Sequence, residues 1–320
     1  MAASKLLTQV RREIRRRNYS YKTEQAYIGW IKRYIYFHNT THPIEMGAPE
    51  VEKYLNHLAN DANVAASTQN QALSALVFLY KQVLKQPSLK LIGLKRARKP
   101  IRVPVVLSKD EVQQILTHLP GIAHLIVSLM YGAGMRISEV LRLRIADVDF
   151  DQHYLLVRSG KGLKDRRVML PVSCVDALKD QIRKATKQHR LDLLEGHGEA
   201  LLPNALSRKY PNEGKAVGWQ YVFYSNQLTT DPRSGLIHRH HLSERHVQKS
   251  LKKAVSKTNI RKKVSAHTFR HSFATEMLQS GYDIRTVQEL LGHTNVKTTM
   301  MYTHVLNKEG NYLKSPLDSL

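Results

Sequence analysis

The stretch LGHTNVKTTMMYTHV, residues 291–305, places His293 directly after a glycine and Tyr302 nine positions further on. Just upstream, DIRTVQELLG carries Ile284, Val287, Leu290 and Leu291 at helical spacing, so these side chains are expected to point inward. Gly292 follows as the stop, since glycine closes a helix in the left-handed conformation at little cost. His293 is then the first residue of a tight corner, and Tyr302 is expected to ride the next helix. Read alone, the pair is equally a buried histidine followed by an ordinary helical tyrosine. The choice depends on what else the chain supplies.

Working outward, SAHTFRHSFATEM (265–277) sets His267 and Arg270 three positions apart, on one face of a predicted helix. YGAGMRISEV (131–140) carries Arg136 between a glycine-containing corner and a helical pattern. HYLLVRS and DRRVMLPV are β-prone segments joined by GKGLK, whose Gly160 and Gly162 supply a turn, so Lys161 falls at a hairpin tip. Lys164 lies close behind it, and either lysine is within reach of a ligand.

These residue types suit a phosphodiester. Two guanidinium groups clamp non-bridging oxygens and neutralise charge that develops in a pentavalent transition state. A tyrosine, with an intrinsic pKa of ~10, needs a base to take its proton before it attacks. His267 is a candidate for that base, His293 for holding a phosphate oxygen, and Lys161 for protonating the departing 5′ oxygen. No cofactor or metal is required by this chemistry, and no carboxylate cluster offers to bind an ion. Bare H-x-x-R is common in helices, and GKG lacks the full phosphate-loop pattern.

The composition agrees with a polyanionic partner. Lys and Arg outnumber Asp and Glu by 50 to 26 in 320 residues, a net charge of +24. Phosphate neutralisation by such residues supplies most non-specific nucleic-acid affinity, whereas a merely solubilising surface needs no such imbalance. The single Cys174 excludes an internal disulfide framework and a cysteine zinc site. No apolar run approaches the ~18–20 residues of a membrane span and no signal-like leader is seen, so a cytoplasmic protein is expected.

Residues 1–92 read as a small helical domain. Tyr27, Trp30, Ile31, Tyr34 and Ile35 form one apolar helix face; Leu73, Leu76, Val77, Tyr80, Val83 and Leu84 form another, with Ser67 as the expected N-cap. The run RREIRRR places Arg11, Arg15 and Arg16 for DNA backbone contact, although such a run is often only a solvated face. GLKRARKPIRVP (93–104), with Arg96 and Arg98, reads as a basic linker on the same backbone. After it, Ser108 and Glu111 form a capping box that opens a second domain over 105–320.

Arginine, hairpin lysine, H-x-x-R, then G-H followed by tyrosine, in this order, resembles the tyrosine recombinase family over essentially the whole chain. The resemblance implies a mainly α fold with a small β-hairpin or sheet in the catalytic domain, the two domains closing on DNA as a clamp. It implies Tyr302 as nucleophile forming a 3′-phosphotyrosyl link, Arg136 and Arg270 as transition-state clamps, His267 and His293 as assistants and Lys161 as general acid. Exchange would pass through a Holliday junction with four protomers on two sites. Tyr312, Leu313, Leu317 and Leu320 of the C-terminal tail are candidate anchors into a neighbouring subunit, or simply a frayed end.

Within the family, 106 positions separate Lys161 from His267, and the extra material lies at about 190–245. That segment, with YKTEQAYIGWIKRYIYFH (21–38) and VAASTQNQALSALVFLYKQVL (64–84), resembles integron integrases, which implies capture of gene cassettes and recognition of a folded single-stranded site with protruding bases. Splayed bases stack on aromatic or imidazole planes at ~1–3 kcal/mol each. Trp219, Tyr221, His240 and His241 are the candidates, near Phe223, Tyr224, His238 and His246. WQYVFY is equally a buried strand by its alternation, and the histidines are a weaker candidate for zinc. Rival readings are a phage-type or Xer-like recombinase acting on duplex, and a non-catalytic DNA-binding protein of the same fold.

Overall fold

The computed structural model describes residues 5–86, 97, 103–158, 165–202 and 206–303. The chain divides into two compact units, residues 1–102 and 103–320.

The first unit is built on α1 (Lys5–Arg16), α2 (Tyr21–Phe37), α3 (Ala48–Asn60) and α4 (Ala66–Phe78), the last continuing as one wide helical turn over Leu79–Val83. The apolar spacing of α2 serves two clusters. Trp30 and Tyr34 pack with Tyr54, Leu76 and Tyr80, while Ile28 and Ile31 pack with Val10, Ile14 and Phe78. Tyr34 and Tyr80 share a buried hydroxyl–hydroxyl bond of 2.8 Å, which gives both polar ends a partner. Ser20 caps α2 as an acceptor for the Thr23 amide. Ser67 does not cap α4: the helix starts at Ala66 with Ala65 before it and no side-chain cap, the Ala65 carbonyl receiving the amides of Thr68 and Gln69 instead.

The second unit begins with the Ser108–Glu111 capping box on α5 (Lys109–Thr117). Then come α6 (Gly121–Gly132), α7 (Ile137–Leu141), strands β1 (Val148–Asp149), β2 (Tyr154–Val157) and β3 (Arg166–Met169), and α8 (Val175–Leu194). A short α9 (Leu206–Lys209) precedes β4 (Tyr224–Thr230) and β5 (Ile237–His241). Finally come α10 (Glu244–Val255), α11 (Ala266–Gln279), α12 (Ile284–Leu291) and α13 (Lys297–Met300). β1–β2–β3 form one antiparallel sheet, with Tyr154 opposite Met169 and Val157 opposite Arg166; β4 and β5 form a separate bulged ribbon. Helix α6 buries Ala123, Leu125, Ile126, Val127, Leu129 and Met130 over most of its circumference because α5, α7, α8, α10 and α11 pack against it, while His124 stays exposed. WQYVFY is not a strand: Trp219 ends a single tight turn, Val222 and Phe223 plug the core, and β4 starts only at Tyr224. Tyr302 lies in a turn two residues beyond α13 rather than within a helix.

One carboxylate ties the sheet to the helices. Glu139 accepts the Arg136 amide at 2.8 Å, capping α7, and takes a two-pronged contact from Arg166 of β3 at 3.0 and 2.7 Å. Arg166 in turn donates through Nε to the Leu290 carbonyl at the end of α12. Burial alone would raise the Glu139 carboxyl, but the bonds and charges of Arg166 and Arg136 outweigh it and hold its pKa at about 2. Two glycines let these parts meet. Gly134, at φ +62°, lies so close to Phe273 that a Cβ would fall 2.4 Å from its ring; at Gly292, φ +61°, a Cβ would fall 3.0 Å from Arg166 Nη1.

Two stability measurements follow from this packing. Alanine at either glycine carries the left-handed strain of about 1–2 kcal/mol. Gly134→Ala adds overlap with a buried ring that has nowhere to retreat, so its thermal midpoint should fall further than that of Gly292→Ala. Glu139→Gln leaves buried guanidinium charge uncompensated at about 3 kcal/mol, a midpoint fall of about 6–12 °C near neutrality. Because the folded pKa is depressed, that contribution is complete above the ordinary carboxylate range and fades as pH falls toward about 2. Melting curves of wild type and Glu139→Gln should therefore converge in acid.

Candidate active site

The site assembles around Arg270. Helix α11 carries it on the face turned to α6 and α12, and it is fully buried. Its Nη1 donates to the Gly134 carbonyl and its Nη2 to the Leu291 carbonyl, so one guanidinium joins the corner before α7 to the end of α12. Glu139 stands 3.8 Å away and supplies the counter-charge. Burial, and after it the neighbouring Arg136, lower the Arg270 pKa to about 9. Its Nε is buried without a hydrogen-bond partner among the described residues, a donor with capacity left for a ligand oxygen.

Arg136 occupies the residue before α7, where Glu139 fixes it through Nη1 at 2.7 Å while about a fifth of the side chain stays open. His293 follows the left-handed Gly292, which turns its ring back toward α11. Arg270 Nη2 approaches His293 Nε2 at 3.2 Å; guanidinium nitrogens only donate, so Nε2 accepts and Nδ1 is left to donate to Thr299 Oγ1 at 3.0 Å. The His293 ring lies nearly parallel to Tyr302, with centroids 6.4 Å apart. Tyr302 itself is only 1% exposed. Burial raises its pKa, while Arg270 and Arg136 pull it back toward the phenolate.

Tyr302, Arg136, Arg270, His267 and His293 lie in one cluster, but the hydrogen-bond partner of the tyrosine is a different histidine. The Tyr302 hydroxyl meets His271 Nδ1 at 2.8 Å. His267 opens to solvent one turn earlier on α11, with its ring edge-on to His271 at 4.7 Å. The surrounding protein, then Arg270 and Arg136, lower the pKa of His267. His271 was legible as a candidate: it follows Arg270 and stands four residues after His267, the spacing that brings side chains together on a helix. Lys161 and Lys164 lie outside the described residues, as do Arg96, Arg98 and the tail from 304 onward.

A second cluster gathers the aromatic candidates. Arg144, largely buried, lies 5.3 Å from the Trp219 ring centre and 4.6 Å from that of Tyr221. It donates to the Trp219 carbonyl and, at 2.8 Å, to that of Leu201. Arg158 approaches Trp219 at 5.1 Å and pairs with Asp147. Tyr221 continues the row to His241 at 5.3 Å and His240 at 5.5 Å, the two imidazoles being 4.0 Å apart. Burial lowers both histidines, helped by Arg142, and brings His241 to about 4, so these rings are uncharged near neutrality. Among the described residues no group of three or more His, Cys, Asp or Glu side chains is placed to hold a metal, and no helix is long and apolar enough to cross a membrane.

In the first unit, Arg15 is engaged by the buried Glu24 through two bonds of 3.1 Å, and Arg16 by Glu13 at 3.0 Å. Arg11 is half-buried on α1. Arg15 therefore links α1 to α2.

Comparison with known proteins agrees with this geometry. The Phage integrase family profile matches residues 105–309, and that of the phage integrase N-terminal SAM-like domain matches residues 6–89. Proteins named integrase/recombinase from Escherichia coli and Pseudomonas aeruginosa are each 49% identical over 99% of this chain and 94% of their own length. The tyrosine recombinase XerA of Thermococcus kodakarensis is 32% identical over 88% of this chain and 84% of its own. In fold, a lambda integrase fragment bound as a dimer to a core site superposes with a TM-score of 0.64 at 16% identity, covering 98% of this chain and 99% of that one. The chain belongs to the phage integrase family, the tyrosine recombinases, and is a site-specific DNA recombinase.

Proposed function

We propose that this recombinase is of the integron integrase type: it integrates and excises gene cassettes and reads the cassette site as a folded single strand with protruding bases. The observation that carries the reading is the row Trp219, Tyr221, His241, His240, stiffened by Arg144. Uncharged, partly exposed rings held at fixed spacing suit unstacked bases, which every base can satisfy with its π-face. The other partner, the integration site, is duplex.

In the same reading Tyr302 attacks the scissile phosphorus, giving a 3′-phosphotyrosyl bond and a 5′ hydroxyl. Arg136 and Arg270 take up the charge on the phosphate oxygens, the idle Arg270 Nε among the donors, with His293 beside it. His267 assists from the solvent side, and Lys161 hands a proton to the leaving oxygen. The energy of the broken bond stays in the tyrosyl ester, so rejoining after strand exchange through a Holliday junction needs no nucleotide. Four protomers act on two sites, with the tail beyond 304 exchanged between them. Residues 1–92 and the basic linker at 93–104 hold backbone phosphates, Arg11, Arg16, Arg96 and Arg98 among the contacts, and the enzyme works in the cytoplasm on nucleoid DNA.

A second reading, a Xer-like enzyme acting on duplex alone, has its own support in the similarity to XerA over most of the chain. A labelled cassette-type site prepared as folded hairpin and as full duplex separates the two. Denaturant-resistant adducts should form with wild type, mainly on the hairpin, and be absent with Tyr302→Phe. Trp219→Ala should weaken hairpin binding by about 5- to 100-fold, the cost of one lost stack, and leave duplex binding unchanged. Equal trapping and equal weakening on both forms would establish the duplex reading instead.

A further inference from the structure

We propose that His271 is the group that takes the proton from Tyr302 during cleavage and returns it during rejoining. The inference rests on Tyr302 being the nucleophile, and it moves the base from His267, where the motif alone would put it, to the next turn of α11.

The contact is direct: the Tyr302 hydroxyl and His271 Nδ1 are 2.8 Å apart, with ring centres at 5.5 Å. The other imidazoles are placed for different tasks. His293 spends Nε2 on Arg270 and Nδ1 on Thr299, and meets Tyr302 face to face rather than through its hydroxyl. His267 meets His271 edge to face. A second link is chemical. To accept a proton His271 must be neutral beforehand, and burial, then His267 and Arg270, lower its pKa to about 4. The groups facing the pair are His267 and Arg270 from α11, His293 from the corner after α12 and Arg136 before α7. Glu139 acts through Arg270, and Tyr131 of α6 borders the same apolar cluster. Burial first, and then the neighbouring His267 and the charge of Arg270, keep the imidazole unprotonated in the free protein. A phosphate arriving between the arginines offsets that field and favours the imidazolium, so the base strengthens when substrate is present.

The step balances. The Tyr302 O–H bond breaks and its proton goes to His271 Nδ1 as the tyrosine oxygen bonds to phosphorus. The P–O5′ bond breaks, and the leaving oxygen takes a proton from Lys161. In rejoining, the 5′ hydroxyl attacks phosphorus as its proton goes back to the neutral Lys161, the bond from phosphorus to the Tyr302 oxygen breaks, and His271 returns its proton to that departing oxygen.

Single-turnover cleavage at saturating hairpin DNA, followed from about pH 6.5 to 9, tests this in the full-length protein. His271→Asn places an amide oxygen where Nδ1 stands, keeping a hydrogen bond but accepting no proton. Its cleavage rate should fall about 100-fold at the acid end and rise about tenfold per pH unit as hydroxide replaces the lost base, while wild type stays nearly flat. A uniform loss at every pH, or no loss, overturns the inference, since a positioning role moves the rate without changing its slope. His267→Asn should lower the rate by one factor throughout; a pH slope in that variant instead assigns the proton to His267 and likewise overturns it. Tyr302→Phe, run alongside, keeps the two claims apart. An adduct from the Phe variant removes the nucleophile itself, whereas its absence together with a flat His271→Asn profile removes only the role of His271.

Discussion

Arg270 is fully buried, and nearly everything about the catalytic unit depends on how that charge is accommodated. Two backbone carbonyls and one carboxylate surround it: Gly134 from the corner before α7, Leu291 from the end of α12, and Glu139 from within α7. A buried cation is tolerable only when its donors are matched and its charge is offset. Meeting that demand draws two separate pieces of chain onto α11, the corner and helix around α7 and the end of α12, and these pieces carry Arg136 and His293.

Glu139 extends the same constraint to the sheet. By holding Arg166 as well as Arg136, it fixes the first residue of β3 against the end of α12. Strand β3 is therefore anchored, at its first residue, to the cluster around Arg270. Three arginines and one carboxylate leave this part of the site strongly positive, a field suited to a phosphodiester and unfavourable without one. The Nε of Arg270, without a partner among the described residues, fits that view, because a buried donor left idle is costly unless a ligand completes it.

The aromatic row follows a parallel logic at a different place. Arg144 is buried between two rings and bonded to backbone carbonyls on either side, so it orders a segment that has little regular structure of its own. Rings held this way lose little freedom when a base stacks on them, which makes each contact more effective. The fold thus uses a buried guanidinium twice: once to assemble a reactive site, and once to stiffen a surface.

Residue order determined much of this protein. The helical spacing in α2 and α4, the capping box at Ser108 and Glu111, the left-handed stop at Gly292 and the paired β-prone segments around GKGLK are local properties, set by side-chain periodicity and backbone sterics over a few residues. Arg136, His267, Arg270, His293 and Tyr302 could be singled out as candidates for another reason, because their order along the chain resembles that of the tyrosine recombinases. Only the tertiary structure decided who touches whom. Glu139 was an unremarked residue within RISEV until Arg166 arrived from 27 positions away. WQYVFY alternated like a strand, yet its backbone pairing with Arg144 and the burial of Val222 and Phe223 turned it into an irregular plug. His267 and His271 are equivalent as letters four apart on one helix. The corner at Gly292 and the short α13 set the height at which Tyr302 returns to α11, and that height places its hydroxyl on His271. Contacts between distant segments depend on the summed geometry of every turn between them, and no local pattern records that sum.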